Sequence, residues 1–161
     1  MRKQRIYLET TLFNYYFDTD RDAHADTVTL FKEIAAGKYE AYTSSAVIDE
    51  LEQAPAEKSA AMQALVGKYN ITNLQVTEEV RRLANLYVSA GIIPLKYETD
   101  SVHIAVATIN ELDTIVSLNF RHIVKLKTMQ MTNAVNILNG YCSIEIHSPM
   151  EVLDSEDTQY N

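Results

Sequence analysis

The sequence has one cysteine, no tryptophan, four glycines and three prolines in 161 residues. A lone Cys142 forms no internal disulfide and no cysteine zinc cluster, so a reducing cytoplasm is its expected setting. No stretch approaches the about 18 apolar residues of a membrane span. The start, MRKQRIYLETTLF, has basic residues, but its apolar part is cut short by Glu9, and no secretory signal is expected. A Gly-rich phosphate loop and a G-x-S-x-G turn are both missing, which removes the support for an unrelated doubly wound hydrolase. What remains is 47% hydrophobic and 22% charged, the balance of a globular chain. Its length suits one domain, expected over residues 1–153, with an acidic C-terminal tail over 154–161.

The formal net charge of −8 argues at face value against holding nucleic acid by counterion release. The distribution weakens that objection. Five of the 22 acids (Glu145, Glu151, Asp154, Glu156 and Asp157) lie beyond Tyr141, where there is no lysine or arginine, leaving 17 acids against 14 bases before it. The body of the chain is nearly balanced, and a nucleic-acid substrate stays open.

Short β-prone runs alternate with helical patterns. RIYLE at 5–9 reads as a strand, followed by a helix capped by Thr10 or Thr11. Val28, Leu30, Phe31, Ile34 and Ala35 recur at helical spacing up to Gly37, which stops the helix. YEAYTS is a second strand, and SAVIDELEQA a helix capped by Ser44 or Ser45. Two amphipathic helices, AEKSAAMQALVGKY and TEEVRRLANLYVSAG, flank ITNLQV, which reads as a strand or a link. Beyond Pro94 come a helix from about 100 to 112, the strand DTIVSL, the helix TMQMTNAVNILNG closed by Gly140, and the strand CSIEIHS. Such alternation implies βαβ crossovers and a parallel sheet flanked by helices. Ligands of these sheets bind beyond the carboxyl ends of the strands.

Four residues fall there: Glu9 after the first strand, Glu50 in the helix after the second, Asp100 at a helix start, and Asn119 after DTIVSL. Each has an ordinary reading alone. Glu9 suits a helix dipole, Asp100 an N-cap, Glu50 a solvated face and Asn119 a turn, while His103 and His122 suit structural histidines. Together, three carboxylates and an amide repel one another unless a cation or a proton compensates. Oxygen donors of this kind suit Mg²⁺ or Mn²⁺.

The segments IYLETTLFNYYFD, TSSAVIDELEQAP, DSVHIAVATINELDTIVSLNFRHIV and NAVNILNGYCSIEIHSPMEVL, in that order over residues 5–153, resemble the PIN domain family, the nuclease fold of VapC-type toxins and of RNA-processing enzymes. The resemblance implies a three-layer α/β/α sandwich with a central parallel sheet, and metal-dependent hydrolysis of RNA phosphodiesters. It implies Glu9, Glu50, Asp100 and Asn119 as catalytic positions. Glu9 and Asp100 would be the main metal ligands, Glu50 would ligate or orient water, and Asn119 would place a water or a substrate phosphate. The first position is usually Asp and the fourth often Asp, so the Glu and Asn here imply weaker Mg²⁺ or Mn²⁺ binding.

Arg121 and His122, in the basic stretch RHIVKLK, either track a nucleic-acid backbone or form a solvated face, and Thr10 and Ser117 lie beside the site. An antitoxin protein and a homodimer are the partners that the resemblance implies. The Glu and Asn departures leave a second reading, a PIN-like binding or assembly module with little catalysis.

Overall fold

The structure, a computed structural model, describes residues 2–153, so the segment expected as a tail, 154–161, lies outside the described residues. Five strands, β1 (Gln4–Leu8), β2 (Tyr39–Ser44), β3 (Thr72–Leu74), β4 (Thr114–Val116) and β5 (Glu145–His147), form one sheet of order β3-β2-β1-β4-β5. Every pairing is parallel. The helices are α1 (Thr10–Tyr15), α2 (His24–Ala35), α3 (Ser45–Leu51), α4 (Ala56–Lys68), α5 (Glu78–Ser89), α6 (Glu98–Ile109), α7 (Leu126–Leu138) and α8 (Pro149–Val152), with a 3-10 turn at Leu95–Tyr97. They cover both faces of the sheet, giving the α/β/α sandwich.

The central strands explain the architecture. Ile6, Tyr7 and Leu8 of β1 and Ile115 and Val116 of β4 are buried, as a parallel strand roofed by helices on both faces must be. The chain builds outward from β1 through β2 to β3, then re-enters on the other side of β1 as β4. That reversal makes the β1/β4 junction the switch point, where a crevice opens at the carboxyl edge. α6 is the helix entering β4, and from His103 to Thr108 all its residues are buried. His103 therefore sits in an apolar setting, and Asp100, one turn before it, at its edge.

Helix boundaries follow local chemistry, with some departures from expectation. Ser44 caps α3, its Oγ accepting from the Ala46 amide at 3.2 Å. Gly37 and Gly140 adopt φ of +85° and +81° just past α2 and α7, the left-handed stop that glycine allows. The cap of α1 is Glu9 rather than Thr10 or Thr11. Asp100 is not an N-cap either: the 3-10 turn after Pro94 feeds straight into α6, which starts at Glu98 and puts Asp100 in its first turn. Within ITNLQV, residues 72–74 pair with β2 as a strand. α7 begins two residues before TMQM, and α8, with Pro149 at its first turn and a Ser148–Glu151 capping box, is an element the sequence reading lacked.

Candidate active site at the carboxyl edge

Three crossovers bring their acids to the switch point. Glu9 follows β1 directly, and its backbone amide continues the ladder by donating to Val116 O at 3.1 Å. Its side chain is 3% exposed. One carboxylate oxygen, Oε1, accepts from the Thr11 amide (3.2 Å), the Thr11 hydroxyl (2.5 Å) and the Ser117 hydroxyl (2.7 Å). Glu9 thus caps α1 and ties it to the end of β4. Among the described residues Oε2 has no hydrogen-bond partner and is left over for a ligand.

Glu50 repeats the pattern from α3. Its Oε1 accepts from the Thr10 hydroxyl at 2.7 Å and faces Nε2 of His103 at 2.5 Å, while Oε2 again has no hydrogen-bond partner among the described residues. His103 is fully buried, and its Nδ1 meets the Tyr7 hydroxyl at 2.7 Å, which meets the Ser44 hydroxyl at 2.7 Å. Burial works to push His103 down, but the Glu50 hydrogen bond and charge outweigh it and hold the imidazole above its ordinary value. Burial likewise works to raise Glu50, yet His103 and Thr10 together pull it below the usual carboxylate range. Both shifts favour the charged pair. With His103 protonated, both ring N–H groups donate, to Glu50 and to Tyr7, and Tyr7 in turn donates to Ser44. Burial keeps the Tyr7 phenol protonated, well above its usual range.

Asp100, one helical turn before His103, faces the same cluster. Burial pushes its carboxyl up to about 6; the His103 charge works the other way, while the Glu9 and Glu50 charges raise it further. The Asn119 side chain favours its charged form. Asn119 lies in the turn after β4, where its Oδ1 accepts from the His122 amide at 3.0 Å. It is a turn residue, and its side chain lies against Asp100. Thr10 and Ser117 are buried, with their hydroxyls turned onto the carboxylates. Arg121 and His122 stand just outside, Arg121 exposed and His122 half-buried.

One ligand atom from each of Glu9, Glu50 and His103 falls within a mutual 4.8 Å. His103 has no free nitrogen to offer a cation, because Nδ1 is engaged by Tyr7 and Nε2 by Glu50. The spare oxygens of Glu9 and Glu50 are hard donors; Asp100 stands outside that 4.8 Å group, though its carboxyl feels the charges of both. With three carboxylates ionised and one imidazolium, two negative charges remain, which one divalent cation would balance. These residues fit Mg²⁺ or Mn²⁺.

His103 and Tyr7 are the site-supporting residues that sequence reasoning passed over. His103 was legible only as the fourth member of D-x-x-H, one turn along the same helix face as Asp100. A cavity of about 540 Å³ lies at the amino edge of the sheet between Lys3, Tyr39, Tyr42, Lys68 and Thr72. It gathers no acid cluster. A smaller cleft of about 180 Å³ opens beside Glu50, lined by Asp49, Arg81 and Thr99.

No protein-family model matches the sequence, and no curated protein resembles it significantly. Solved structures do resemble it in fold. VapC20 of Mycobacterium tuberculosis, a sarcin-ricin loop cleaving toxin, superposes with a TM-score of 0.52 at 15% identity, over 68% of this chain and 86% of that one. A chain of VapBC2 from Rickettsia felis, bound to a DNA fragment from their promoter, superposes with a TM-score of 0.57 at 10% identity, over 90% of this chain and 98% of that one. With a parallel sheet of this order and acids at its switch point, the chain has the PIN-domain fold of VapC type.

Proposed function

We propose that this protein is a Mg²⁺- or Mn²⁺-dependent ribonuclease. The observation that carries the reading is the division of labour within Glu9 and Glu50, each of which anchors one oxygen internally and leaves the other for a ligand. Glu9, Asp100 and Glu50 hold the cation, which when bound stabilises charge on the phosphate and lowers the pKa of water. Glu50, fixed by His103 and Thr10, is the group placed to orient the attacking water. Asn119 contributes no charge and positions a water or a phosphate oxygen through its amide. Arg121 and His122 receive the substrate strand beside the site.

RNA as the substrate class draws support from the sarcin-ricin loop cleavage of VapC20, and a role as the toxin of a toxin–antitoxin pair from the VapBC2 assembly. Phe120, Leu126 and Met150 are exposed apolar side chains of the kind a protein partner covers, whether an antitoxin or a second copy. No helix among the described residues is long and apolar enough to cross a membrane. The exposed free thiol of Cys142 fits a reducing cytoplasm.

The test is RNA cleavage with Mn²⁺ and with chelator, repeated on Asp100→Asn. Cleavage that needs the metal and drops more than about 100-fold in the variant is the expected outcome. Equal cleavage by both proteins would remove the site assignment.

A further inference from the structure

Next to Asp100 and Asn119, two segments far apart in sequence bring two rings together. Tyr97 ends the 3-10 turn three residues before Asp100, and His122 follows Asn119 by three. Their ring centroids are 4.3 Å apart with planes inclined by 32°. The Arg121 guanidinium carbon lies 5.6 Å from the Tyr97 ring centroid and the Lys96 ammonium 5.8 Å. Both cations are exposed, while the two rings are half-buried.

The His122 backbone amide is tethered to Asn119, but its Nε2 is buried with no hydrogen-bond partner among the described residues. Its ring is held by stacking rather than by a polar tether. Cation–ring contacts also occur at Tyr42 and Tyr69, but those rings line the cavity at the amino edge of the sheet. Tyr97 differs in its place, beside the carboxylates.

A flat ring flanked by exposed cations suits an unpaired nucleobase. The base stacks on the ring while the cations take the phosphates on either side. A base inside a duplex has both faces covered and gains nothing there. Lys96 and Arg121, being exposed and within 5.8 Å of the Tyr97 ring centroid, are free to turn toward the phosphates of a base stacked there. We propose that Tyr97, backed by His122, is the stacking platform for an unpaired base adjoining the scissile phosphate, with Lys96 and Arg121 holding the flanking backbone. The word scissile rests on the nuclease reading above; the stacking itself does not.

The experiment measures fluorescence anisotropy of a labelled ten-nucleotide single-stranded RNA, of the same strand fully paired, and of a strand with abasic positions. Binding is read in Mn²⁺ on the Asp100→Asn background, which prevents cleavage. Tyr97→Ala is expected to weaken binding of the unpaired strand about 10-fold, to leave the duplex and the abasic strand unchanged, and to be rescued by Tyr97→Trp. Arg121→Ala is expected to weaken all three ligands and to flatten their salt dependence. Circular dichroism melting of each variant identifies loss of fold, and the Trp rescue keeps the comparison decisive if the Ala variant is unstable.

Equal losses on strand and duplex, equal binding of abasic and base-bearing strands, or no loss in Tyr97→Ala would each overturn the platform. Cleavage by the protein with Asp100 intact is scored separately. Absence of cleavage with Tyr97-dependent binding removes the nuclease reading alone; cleavage with Tyr97-independent binding removes the platform alone.

Discussion

Asp100 and Asp113 stand toward opposite ends of α6, one at each edge of the sheet, and the chain supplies them very differently. Asp113, at the amino edge, takes two guanidinium hydrogen bonds from Arg2, at 2.8 and 2.7 Å, and one from the Arg5 amide at 2.8 Å. The Arg2 hydrogen bond, above all, holds its carboxyl below the ordinary range. Asp100, at the carboxyl edge, is pushed the other way, to about 6, by burial. Among the described residues no lysine or arginine pairs with it. Asp113 is paired with a guanidinium, whereas Asp100 has only burial, the neighbouring carboxylates and the one imidazole of His103 around it. The difference teaches that the carboxyl edge carries less compensating charge from the chain than the amino edge does, as the proposed cation site requires.

The comparison is broken most forcefully through His103, the imidazole that joins Glu50 to Tyr7. His103→Ala leaves Glu50 and Tyr7 without their shared partner. Unfolding free energy is expected to fall by about 1–3 kcal/mol, and Mn²⁺ affinity by about 10–100-fold. Chemical denaturation and calorimetric titration read the two separately. A loss of stability with unchanged affinity would reduce His103 to a packing residue.

Adding the missing charge is next in size. A cation that binds the native state alone, at about 100 times its Kd, contributes about 2.7 kcal/mol, or roughly 5–10 °C of Tm for a chain of this length. Glu9→Gln keeps the cap geometry but removes the charge, and is expected to abolish most of the Mn²⁺-induced shift. An unchanged shift in the variant would place the cation elsewhere.

The pH dependence sharpens the same contrast. The folded-state value of Asp100, about 6, lies above its ordinary 3.8. The folded protein therefore holds that proton more tightly than the unfolded chain. Stability from this group is present below about 3.8 and is lost as pH rises through about 6. Metal-free Asp100→Asn should accordingly gain stability relative to the parent across that window, in melts with chelator at a series of pH values. Parallel curves for the two proteins would contradict the assigned shift. Mn²⁺ affinity should rise over the same interval, since the cation competes with the proton.

The smallest effect belongs to the amino edge. Asp113→Asn weakens a pair whose Arg2 side is exposed, a kind that contributes little, and an asparagine oxygen still accepts from the Arg5 amide, so a slight drop in Tm with cleavage unaltered is expected. A loss of cleavage comparable to that of Asp100→Asn would erase the distinction between the edges.

Much of this arrangement was legible in the sequence because it is written locally. Apolar runs such as RIYL and TIV mark strands buried on both faces, and the glycines after α2 and α7 mark helix ends. The order of Glu9, Glu50, Asp100 and Asn119 along alternating elements was enough to place them at one edge. What escaped depends on partners distant in sequence. Glu50 and His103 are 53 residues apart and Tyr7 and His103 are 96 apart, so no local pattern shows that one imidazole joins them. The cap of α1 escaped because a glutamate competes with two threonines there, and wins through its additional bond from Ser117. Tyr97 carried no signal at all, being one of ten tyrosines.

The position of Glu9 has a mechanical consequence. β1 is hydrogen-bonded to β2 on one side and β4 on the other, and the carboxylate one step beyond it is bolted to both α1 and Ser117. Shifting that oxygen along the strand axis would mean shearing two ladders and unseating a helix at once. Glu9 is therefore a fixed point of the edge, held by the strand before it and the helix after it, and even a small displacement of its oxygen would be felt in both.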